Sequence, residues 1–411
     1  MNTAPDRLGA YALFAALLSA AGLPIYIHAP KFFVDEYGVS LASLGAVLFG
    51  LRLIDVIQDP LFGRMSEIWR DRRGVMVTIA TAVMAVAMVG LFAITPPVSP
   101  LLWFGLMLTL VFSGFSFLTI NFYAQGVLKA DVMPGQGHLR LARWRETGAL
   151  LGVCVAAVAP AIFGLAMDRP FAGFAVGFAV LALAAMLSMR GEWGAGRVAP
   201  GAGFGVVLRD PTARRLLLIA LVNAAPVAVS STLFLFFVES RLQAPGMEGA
   251  LLLLFFLCAA LSAPVWGLLA ERHGVKPMLL AAMVLAIAAF GGAMTLGSGD
   301  WLLFALVCAA SGATIGADLT LLPAVFARRM AVISPSASAG FGIWSFVNKF
   351  TLAFAAVLLL PALERAGFQS GSDTNTAASL WLLTLLYAGV PCALKLVAIG
   401  LLAVTELKEE G

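Results

Sequence analysis

A succession of long apolar runs constrains this chain more than any other feature of its sequence. A helix crosses the roughly 30 Å of membrane hydrocarbon with about 20 residues. Of the 411 residues, 61% are hydrophobic and 12% are charged, whereas about 25% of residues in soluble domains are charged. A soluble fold has too little interior to bury this much apolar surface. The sequence therefore predicts a protein that crosses a membrane many times.

The apolar runs predict twelve transmembrane helices, since the strands of a membrane barrel would alternate over about ten residues. The predicted spans are 9–30, 41–63, 74–95, 100–126, 146–167, 170–189, 213–238, 249–270, 276–297, 300–327, 338–362 and 377–403. The first run is too long, and too poor in flanking basic residues, for a cleaved signal peptide. We therefore expect it to be a helix of the mature protein.

Basic residues concentrate in alternate loops, chiefly at 64–73, 129–145 and 190–215. The intervening loops hold only Lys31, Arg169, Arg241 and Arg365. The positive-inside rule places the basic loops, and with them both termini, in the cytoplasm. We expect a multi-pass protein of the inner membrane. The net charge of +4 then reflects topology, and nucleic acid is not an expected partner.

A short repeat divides the chain into two halves. Residues 60–67 read PLFGRMSE and residues 264–271 read PVWGLLAE, each at the end of the second span of its half. Many transporters are built from such repeats of six helices. The predicted units are a bundle at 1–190, a cytoplasmic linker at 191–212 and a bundle at 213–411.

The repeated element resembles the cytoplasmic loop signature of the major facilitator superfamily, which ties neighbouring helices together. Gly63, Glu67 and Arg70 would have this role in the first half, and Gly267 and Glu271 in the second. The alternative is that these charges only set the topology.

Ionisable residues interrupt the second span, which reads RLIDVIQDPLFG. Arg52, Asp55 and Asp59 lie at i, i+3 and i+7 and therefore share one helix face. Each costs about 2.5–3.5 kcal/mol at the membrane centre, so such residues normally face a water-filled cavity. The carboxylates, with the nearby oxygen of Gln58, predict a site for Na⁺ or a proton. The alternative is an Arg–Asp pair that only joins two helices.

The corresponding positions in the second half are Ala259 and Ala263, so the acids belong to one half only. The four cysteines all fall within spans and are expected to be packing residues. No Ser–His–Asp set, phosphate loop or metal-spaced cluster stands out, so neither an enzyme nor a bound cofactor is expected. Without a nucleotide site, transport would be driven by an ion gradient or be passive.

Further polar residues fall within the predicted spans. The candidates for coupling or substrate contact are Arg52, Arg145, Lys349, Tyr26, Asn121 and Tyr123. Arg145 and Glu146 are expected to open the fifth span, and Lys395 in the last span is interpreted as a snorkelling or helix-pairing residue. His28 has no partner in the sequence and is interpreted as a cavity histidine.

The second-span motif resembles that of the glycoside–pentoside–hexuronide:cation symporters, the family of melibiose permease. Arg52, Asp55, Asp59, Pro60 and Gly63 match the family pattern. Gln58 stands where the family usually has Asn. Arg145 with Gly148 and Gly152 resembles the start of the family's fifth helix, and Lys349 resembles its mid-span lysine of the eleventh.

The resemblance implies a major facilitator fold, with twelve helices in two six-helix bundles, that imports sugar together with Na⁺, Li⁺ or H⁺. Asp55 and Asp59 would bind the cation, and Arg145 and Lys349 would couple it to the substrate. Thr119 stands where sodium-using relatives have an aspartate, so we expect H⁺ in preference to Na⁺. The first span also lacks the acid with which relatives hold sugar hydroxyls.

Two other functions stay open at this point. A distant branch of the family carries lysophospholipids, and the apolar first and seventh spans of this chain would suit such an amphiphile. The chain could instead be an assembly factor that keeps the fold without transporting. The expected partners are a small solute, a coupling cation and lipid, with a monomer as the family default.

Overall fold

The structure, a computed structural model, describes residues 7–193, 203–333, 337–368 and 375–405. Over these ranges the chain is α-helical and contains no β-strand. The helices are α1 (Leu8–Ala20), α2 (Leu23–Tyr37), α3 (Leu41–Ile68), α4 (Arg73–Phe92), α5 (Pro100–Asp131), α6 (Gly137–Gly164), α7 (Pro170–Met189), α8 (Gly203–Arg209), α9 (Pro211–Phe236), α10 (Glu248–His273), α11 (Val275–Gly292), α12 (Trp301–Ile333), α13 (Ser338–Arg365), α14 (Ala377–Thr384) and α15 (Val390–Ala403). One turn of π-helix extends α9 over Phe237–Arg241, and another joins α14 to α15 over Leu385–Gly389.

Nine helical segments within the described ranges are long and apolar enough to cross a membrane. They comprise α4 to α7, α9 to α12, and α14 joined to α15. The protein is therefore multi-pass, while the count of twelve stays a prediction. α3, which carries Arg52, Asp55 and Asp59 in its middle, is a helix of 28 residues.

The first span is not the single helix predicted over 9–30. It is divided into α1 and α2, and the break lies at Ala21 and Gly22. The amide of Gly22 donates to the carbonyl of Ser19 at 3.1 Å, which closes a tight turn after α1. Pro24 follows as the second residue of α2, where a missing N–H removes no helical hydrogen bond. Pro24 thus stands in the first turn of a new helix.

The helices group into two compact units. The first comprises Met1–Asp210 with Ala327–Phe346, and the second comprises Pro211–Phe326 with Val347–Gly411. α13 is therefore shared, with its first part in one unit and the remainder in the other. The boundaries predicted at 190 and 213 stay a prediction. Of the predicted linker, 194–202 lies outside the described residues, and α8 occupies most of the rest.

Close packing of α1 against α6 forms the interior of the first unit. A Cβ added at Gly148 would lie 2.2 Å from the carbonyl oxygen of Ala12, and one at Gly152 would lie 2.5 Å from that of Ala16. Any larger residue would force the two backbones apart. The glycines that resemble the family's fifth helix therefore have a packing role in this chain.

The repeated element makes equivalent contacts in its two copies. Phe62 on α3 packs edge-on against Phe117 on α5, with ring centroids 5.7 Å apart. Trp266 on α10 donates its indole N–H to the carbonyl of Ala313 on α12 at 2.7 Å. In each half the aromatic residue thus joins the second helix of the repeat to the fourth.

The second half uses the face without acids for close helix packing. Ala259 and Ala263 are fully buried. A Cβ added at Gly316 of α12 would lie 2.8 Å from the carbonyl oxygen of Ala259 and 3.1 Å from the amide nitrogen of Ala263. The positions that correspond to Asp55 and Asp59 are therefore packing positions in the second half.

Candidate functional site

The two aspartates of α3 are buried, with Asp55 3% exposed and Asp59 fully inaccessible. The amide nitrogen of Gln58 donates to Asp55 Oδ1 at 2.7 Å, and Ser113 of α5 donates to Gln58 Oε1 at 3.0 Å. Gln58 is thus a direct neighbour of Asp55. A carboxylate at bilayer depth needs such donors, because leaving it without partners costs several kcal/mol.

Asp59 is held by a residue far away in the sequence. Ser345 of α13 donates its hydroxyl to Asp59 Oδ2 at 2.6 Å, a length typical of a charge-assisted hydrogen bond. Small residues allow this approach. A Cβ added at Gly63 would lie 3.3 Å from Gly342 Cα, and one at Gly342 would lie 3.1 Å from the carbonyl oxygen of Asp59. The contact therefore belongs to a glycine-to-glycine crossing of α3 with the first part of α13.

A second buried charge cluster lies between α5 and α6. Arg145 and Glu146 are 4% and 6% exposed, and Arg145 Nε donates to Glu146 Oε1 at 2.7 Å. Tyr123 donates its hydroxyl to the same oxygen at 3.0 Å. The Arg145 guanidinium carbon lies 3.7 Å from the centroid of the Tyr123 ring, which is a cation–π arrangement. Helix α6 begins at Gly137, so these residues lie two turns inside it and do not open it as predicted.

Buried polar side chains also join α3, α4 and α5 to the start of α13. Ser66 lies 2.6 Å from Asn121 Oδ1 and 2.9 Å from Ser338 Oγ. Arg73 donates to Gln125 Oε1 and to Ser338 Oγ, both at 3.3 Å. Asn121, predicted as a coupling residue, is therefore part of a hydrogen-bonded cluster.

The residues of the loop signature after α3 differ in how deeply they are buried. Glu67 is buried and accepts from the backbone amide of Ala339 at 3.3 Å. Arg70 lies in the exposed turn and pairs with Asp71 at 3.7 Å. Arg73 is the arginine of this loop that enters the interior, with 6% of the residue exposed. The sequence analysis treated it, with the other arginines of the loop, as a charge that sets the topology.

The other predicted residues lie on several different helices. The hydroxyl of Thr119 is buried without a hydrogen-bond partner among the described residues. Lys349 is half-buried on the part of α13 that belongs to the second unit. Gly267 is buried in α10, and Glu271 lies near the end of that helix. Arg52 and Tyr26 lie on α3 and α2, and their side chains fall outside the described part of the structure.

Sequence reasoning missed Ser345, Ser66 and Arg73. A serine in an apolar helix is a weak signal, because its hydroxyl can bond to its own helix and needs no outside partner. The spacing of small residues in α13 was the available clue to Ser345, since Gly342 lies three residues before it. Nothing in the sequence alone shows which aspartate this serine contacts.

No group of three histidine, cysteine or carboxylate side chains that could hold a metal ion occurs in the described ranges. The nitrogen Nε2 of His28 lies 3.3 Å from the carbonyl oxygen of Ala156 and 3.1 Å from that of Ala157. The imidazole N–H donates to these carbonyls of α6, so His28 is a hydrogen-bonded interior residue.

A family comparison decides the membership of the chain. The model of the family described as "MFS/sugar transport protein" matches residues 9–409, nearly the whole length. The chain belongs to this family. It is the family of melibiose-type symporters within the major facilitator superfamily, so the resemblance inferred from the motif of α3 is confirmed. The protein is a membrane transporter by family and not an enzyme.

Solved structures show the same fold at low sequence identity. The chain is similar to the human organic anion transporter MFSD10 (TM-score 0.65, 15% identity, 97% of this chain and 100% of the other). It is also similar to a bacterial homologue of the iron transporter ferroportin in the outward-facing state (TM-score 0.70, 14% identity, 97% of this chain and 98% of the other). The proton:xylose symporter XylE gives a TM-score of 0.62 at 12% identity, over 94% of each chain. The major facilitator fold is thereby confirmed.

A search of curated proteins finds no match. At 12–15% identity, the solved structures establish the fold and do not establish the solute.

Proposed function

We propose that this protein is a cation-coupled symporter that takes up a small solute, by family a sugar or glycoside, through alternating access. The observation that carries the proposal is the pair of buried carboxylates on one face of α3, Asp55 and Asp59. Ionisable residues at bilayer depth are costly, and in membrane proteins they mark ion and proton pathways.

The partners of the two carboxylates favour H⁺ over Na⁺ as the coupling ion. A hard cation such as Na⁺ is held by several oxygen atoms. The side chain of Gln58 offers an N–H group to Asp55, while its oxygen accepts from Ser113. Ser345 likewise offers a hydrogen to Asp59. Thr119 supplies a hydroxyl in place of the carboxylate of sodium-using relatives. Because this position lacks that carboxylate, we take H⁺ as the coupling ion of the proposed symport.

In the proposed cycle, binding of the cation removes the negative charge of the α3 site. Arg145 and Lys349 respond to this charge, and Tyr123, Asn121 and Tyr26 belong to the substrate pathway. The two halves then rock about the site, as repeat-built transporters do. The protein acts in the inner membrane as a monomer, with both termini in the cytoplasm.

The apolar first span is better explained by packing than by an amphiphilic substrate. Tyr11, Phe14 and Leu17 are fully buried. Phe14 packs against Phe122 and Trp193, with ring centroids 5.0 and 5.2 Å apart. These side chains form protein interior, so the apolar character of the first span does not favour a lysophospholipid over a sugar.

Uptake into proteoliposomes tests the proposal. Purified protein would be offered a panel of labelled glycosides with an imposed pH or Na⁺ gradient. We expect accumulation driven by the pH gradient, and we expect Asp59→Asn to abolish it. Asp168→Asn, the same chemical change on an exposed loop, should leave accumulation intact. Equal gradient-driven accumulation by Asp59→Asn and the unmodified protein would refute the proposal.

A further inference from the structure

The second unit contains a buried ion pair that lies outside the α3 site. Lys395 of α15 donates to Asp318 Oδ2 of α12, and also to Asn223 Oδ1 of α9 at 2.7 Å. The side chains of Lys395 and Asp318 are 6% and 10% exposed, and Asn223 is 5% exposed. Three helices thus bring an ammonium, a carboxylate and an amide together in the interior of one bundle.

One oxygen of this site is unused. Asp318 Oδ1 is buried and accepts no hydrogen bond from any described residue. A half-satisfied polar group is costly in a low-dielectric interior, and a pair that served only to join helices would be expected to have all its atoms satisfied. The free oxygen is the position at which a proton or a donor group can bind.

A proline lies near each member of the triad. Pro226 follows Asn223 by three residues, Pro323 follows Asp318 by five, and Pro391 precedes Lys395 by four. Each proline removes the helical N–H donor of the carbonyl four residues before it. Those carbonyls belong to Val222, Leu319 and Tyr387, on the three helical segments that build the site.

A turn of π-helix, Leu385–Gly389, also lies just before Lys395. In membranes, freed carbonyls are satisfied by water, side chains or local helix adjustments, and π-turns are frequent at functional sites. This backbone is suited to hydration of the buried pair.

Other titratable groups on the surrounding helices are thiols, a phenol, or charges at helix ends. They are Arg214 and Arg215 on α9, Glu239 and Arg241 on its π-helical extension, Glu248, Cys258, Glu271, Arg272 and His273 on α10, Lys276 on α11, Cys308, Arg328 and Arg329 on α12, and Tyr387 and Cys392 around the start of α15. Lys276 donates to the carbonyls of Ala403 and Thr405 at the end of α15, and Cys392 to that of Ile287. Asp318 is the mid-helix carboxylate among them.

We propose that Asp318, Lys395 and Asn223 form a proton-exchange site in the second bundle. A proton from water on one side of the membrane binds Asp318 Oδ1 and converts the carboxylate to a carboxyl group. Lys395 keeps its own proton and its hydrogen bond to Asn223. The same proton then leaves from Oδ1 to the other side, which restores the ion pair. The inference builds on the proposed function, because it gives the symporter a second proton-binding group.

Infrared difference spectroscopy of the full-length protein in lipid vesicles tests the site without a solute. The pH is stepped from alkaline to acidic, and the C=O stretch of protonated carboxyl groups is recorded. An Asp55→Asn/Asp59→Asn background removes the signal of the α3 site. In that background we expect a carboxyl band that shifts in D₂O and disappears on Asp318→Asn, but is kept on Asp168→Asn.

A purely structural pair would give a different result. The carboxyl band would be unchanged by Asp318→Asn, which would overturn the inference. Because Asp318→Asn alone leaves a buried ammonium, its folding is checked with the neutral double variant Asp318→Asn/Lys395→Met. We expect this variant to regain thermal stability while the band stays absent.

The inference and the proposed function fail separately. A band that depends on Asp318, in a protein that accumulates no glycoside under any gradient, would support the exchange site and contradict sugar symport. Accumulation that depends on Asp59, with no band that depends on Asp318, would support symport and overturn the exchange site.

Discussion

Arg145 and Glu146 are sequence neighbours that lie buried side by side on α6, with Tyr123 contacting both. Burial makes each charge dependent on the other. Removing one partner of a buried pair costs roughly 3–5 kcal/mol, while replacing both is often nearly neutral. At the residue scale, the stability of these buried charges therefore depends on the side chains that pair with them.

We expect Glu146→Gln to destabilise the protein by about 3–5 kcal/mol, because it leaves the Arg145 guanidinium buried without a counter-charge. The double variant Arg145→Gln/Glu146→Gln should recover most of this loss. Thermal unfolding in detergent measures both effects. The control is Arg70→Gln/Asp71→Asn, which removes a solvent-exposed pair and should change stability by no more than about 1 kcal/mol. Equal destabilisation by the single and double variants would contradict the paired-charge account.

At the scale of helices, small residues decide which elements can approach closely. Gly148 and Gly152 permit the close contact of α6 with α1, and Gly316 permits the close contact of α12 with α10. Gly63 and Gly342 permit the crossing of α3 with α13. In membranes, helices associate through such small-residue contacts, because lipid provides no hydrophobic drive between them. The glycines thus determine the helix neighbours around the site.

Gly152→Val should separate α6 from α1 and lower stability by about 1–3 kcal/mol, the usual cost of overpacking a filled interior. Gly400→Ala is the control, because a Cβ at Gly400 on α15 would meet nothing within 4 Å. That change should be neutral or stabilising by roughly 0.5–1 kcal/mol, since alanine favours the helix. Melting temperatures in detergent compare the two. Loss of stability in Gly400→Ala without loss in Gly152→Val would contradict this packing.

The difference between local features and contacts between distant helices determines what could be predicted from the sequence. Hydropathy and the α3 motif predicted the fold, the family and the burial of Asp55 and Asp59, because long apolar runs and charges within them are local features. The partners of those charges are not local. Ser345 lies 286 residues from Asp59, and Lys395 lies 77 residues from Asp318. From the sequence, Lys395 was interpreted as a snorkelling or helix-pairing residue. Its acidic partner, Asp318, could not be identified there, because only the packing of the helices brings the two residues together.

At the scale of the whole molecule, α13 is the element that belongs to both units. Its first part is fixed to α3 by the Asp59–Ser345 hydrogen bond, by the Gly63–Gly342 crossing and by the amide of Ala339 on Glu67. If the protein works by the proposed alternating access, we expect this crossing to be transient.

A disulfide across the crossing tests this expectation. Ser66 and Ser338 have hydroxyl oxygens 2.9 Å apart, so Ser66→Cys/Ser338→Cys would be made after replacing the four native cysteines. Oxidation should form the bond and abolish glycoside uptake, and reduction should restore it. The two single-cysteine variants control for the substitutions themselves. Full uptake by the cross-linked protein would show that the contact persists through the cycle.

The boundary between the two units divides α13 between Phe346 and Val347. Ser345 and Lys349 stand on either side of this boundary. Residues four apart share a helix face one turn from each other. A change of charge at Asp59 that releases Ser345 would therefore rotate or shift Lys349 through a single turn of rigid backbone. Ser345 and Lys349 would then be linked through the backbone of α13, with no relay of side chains between them.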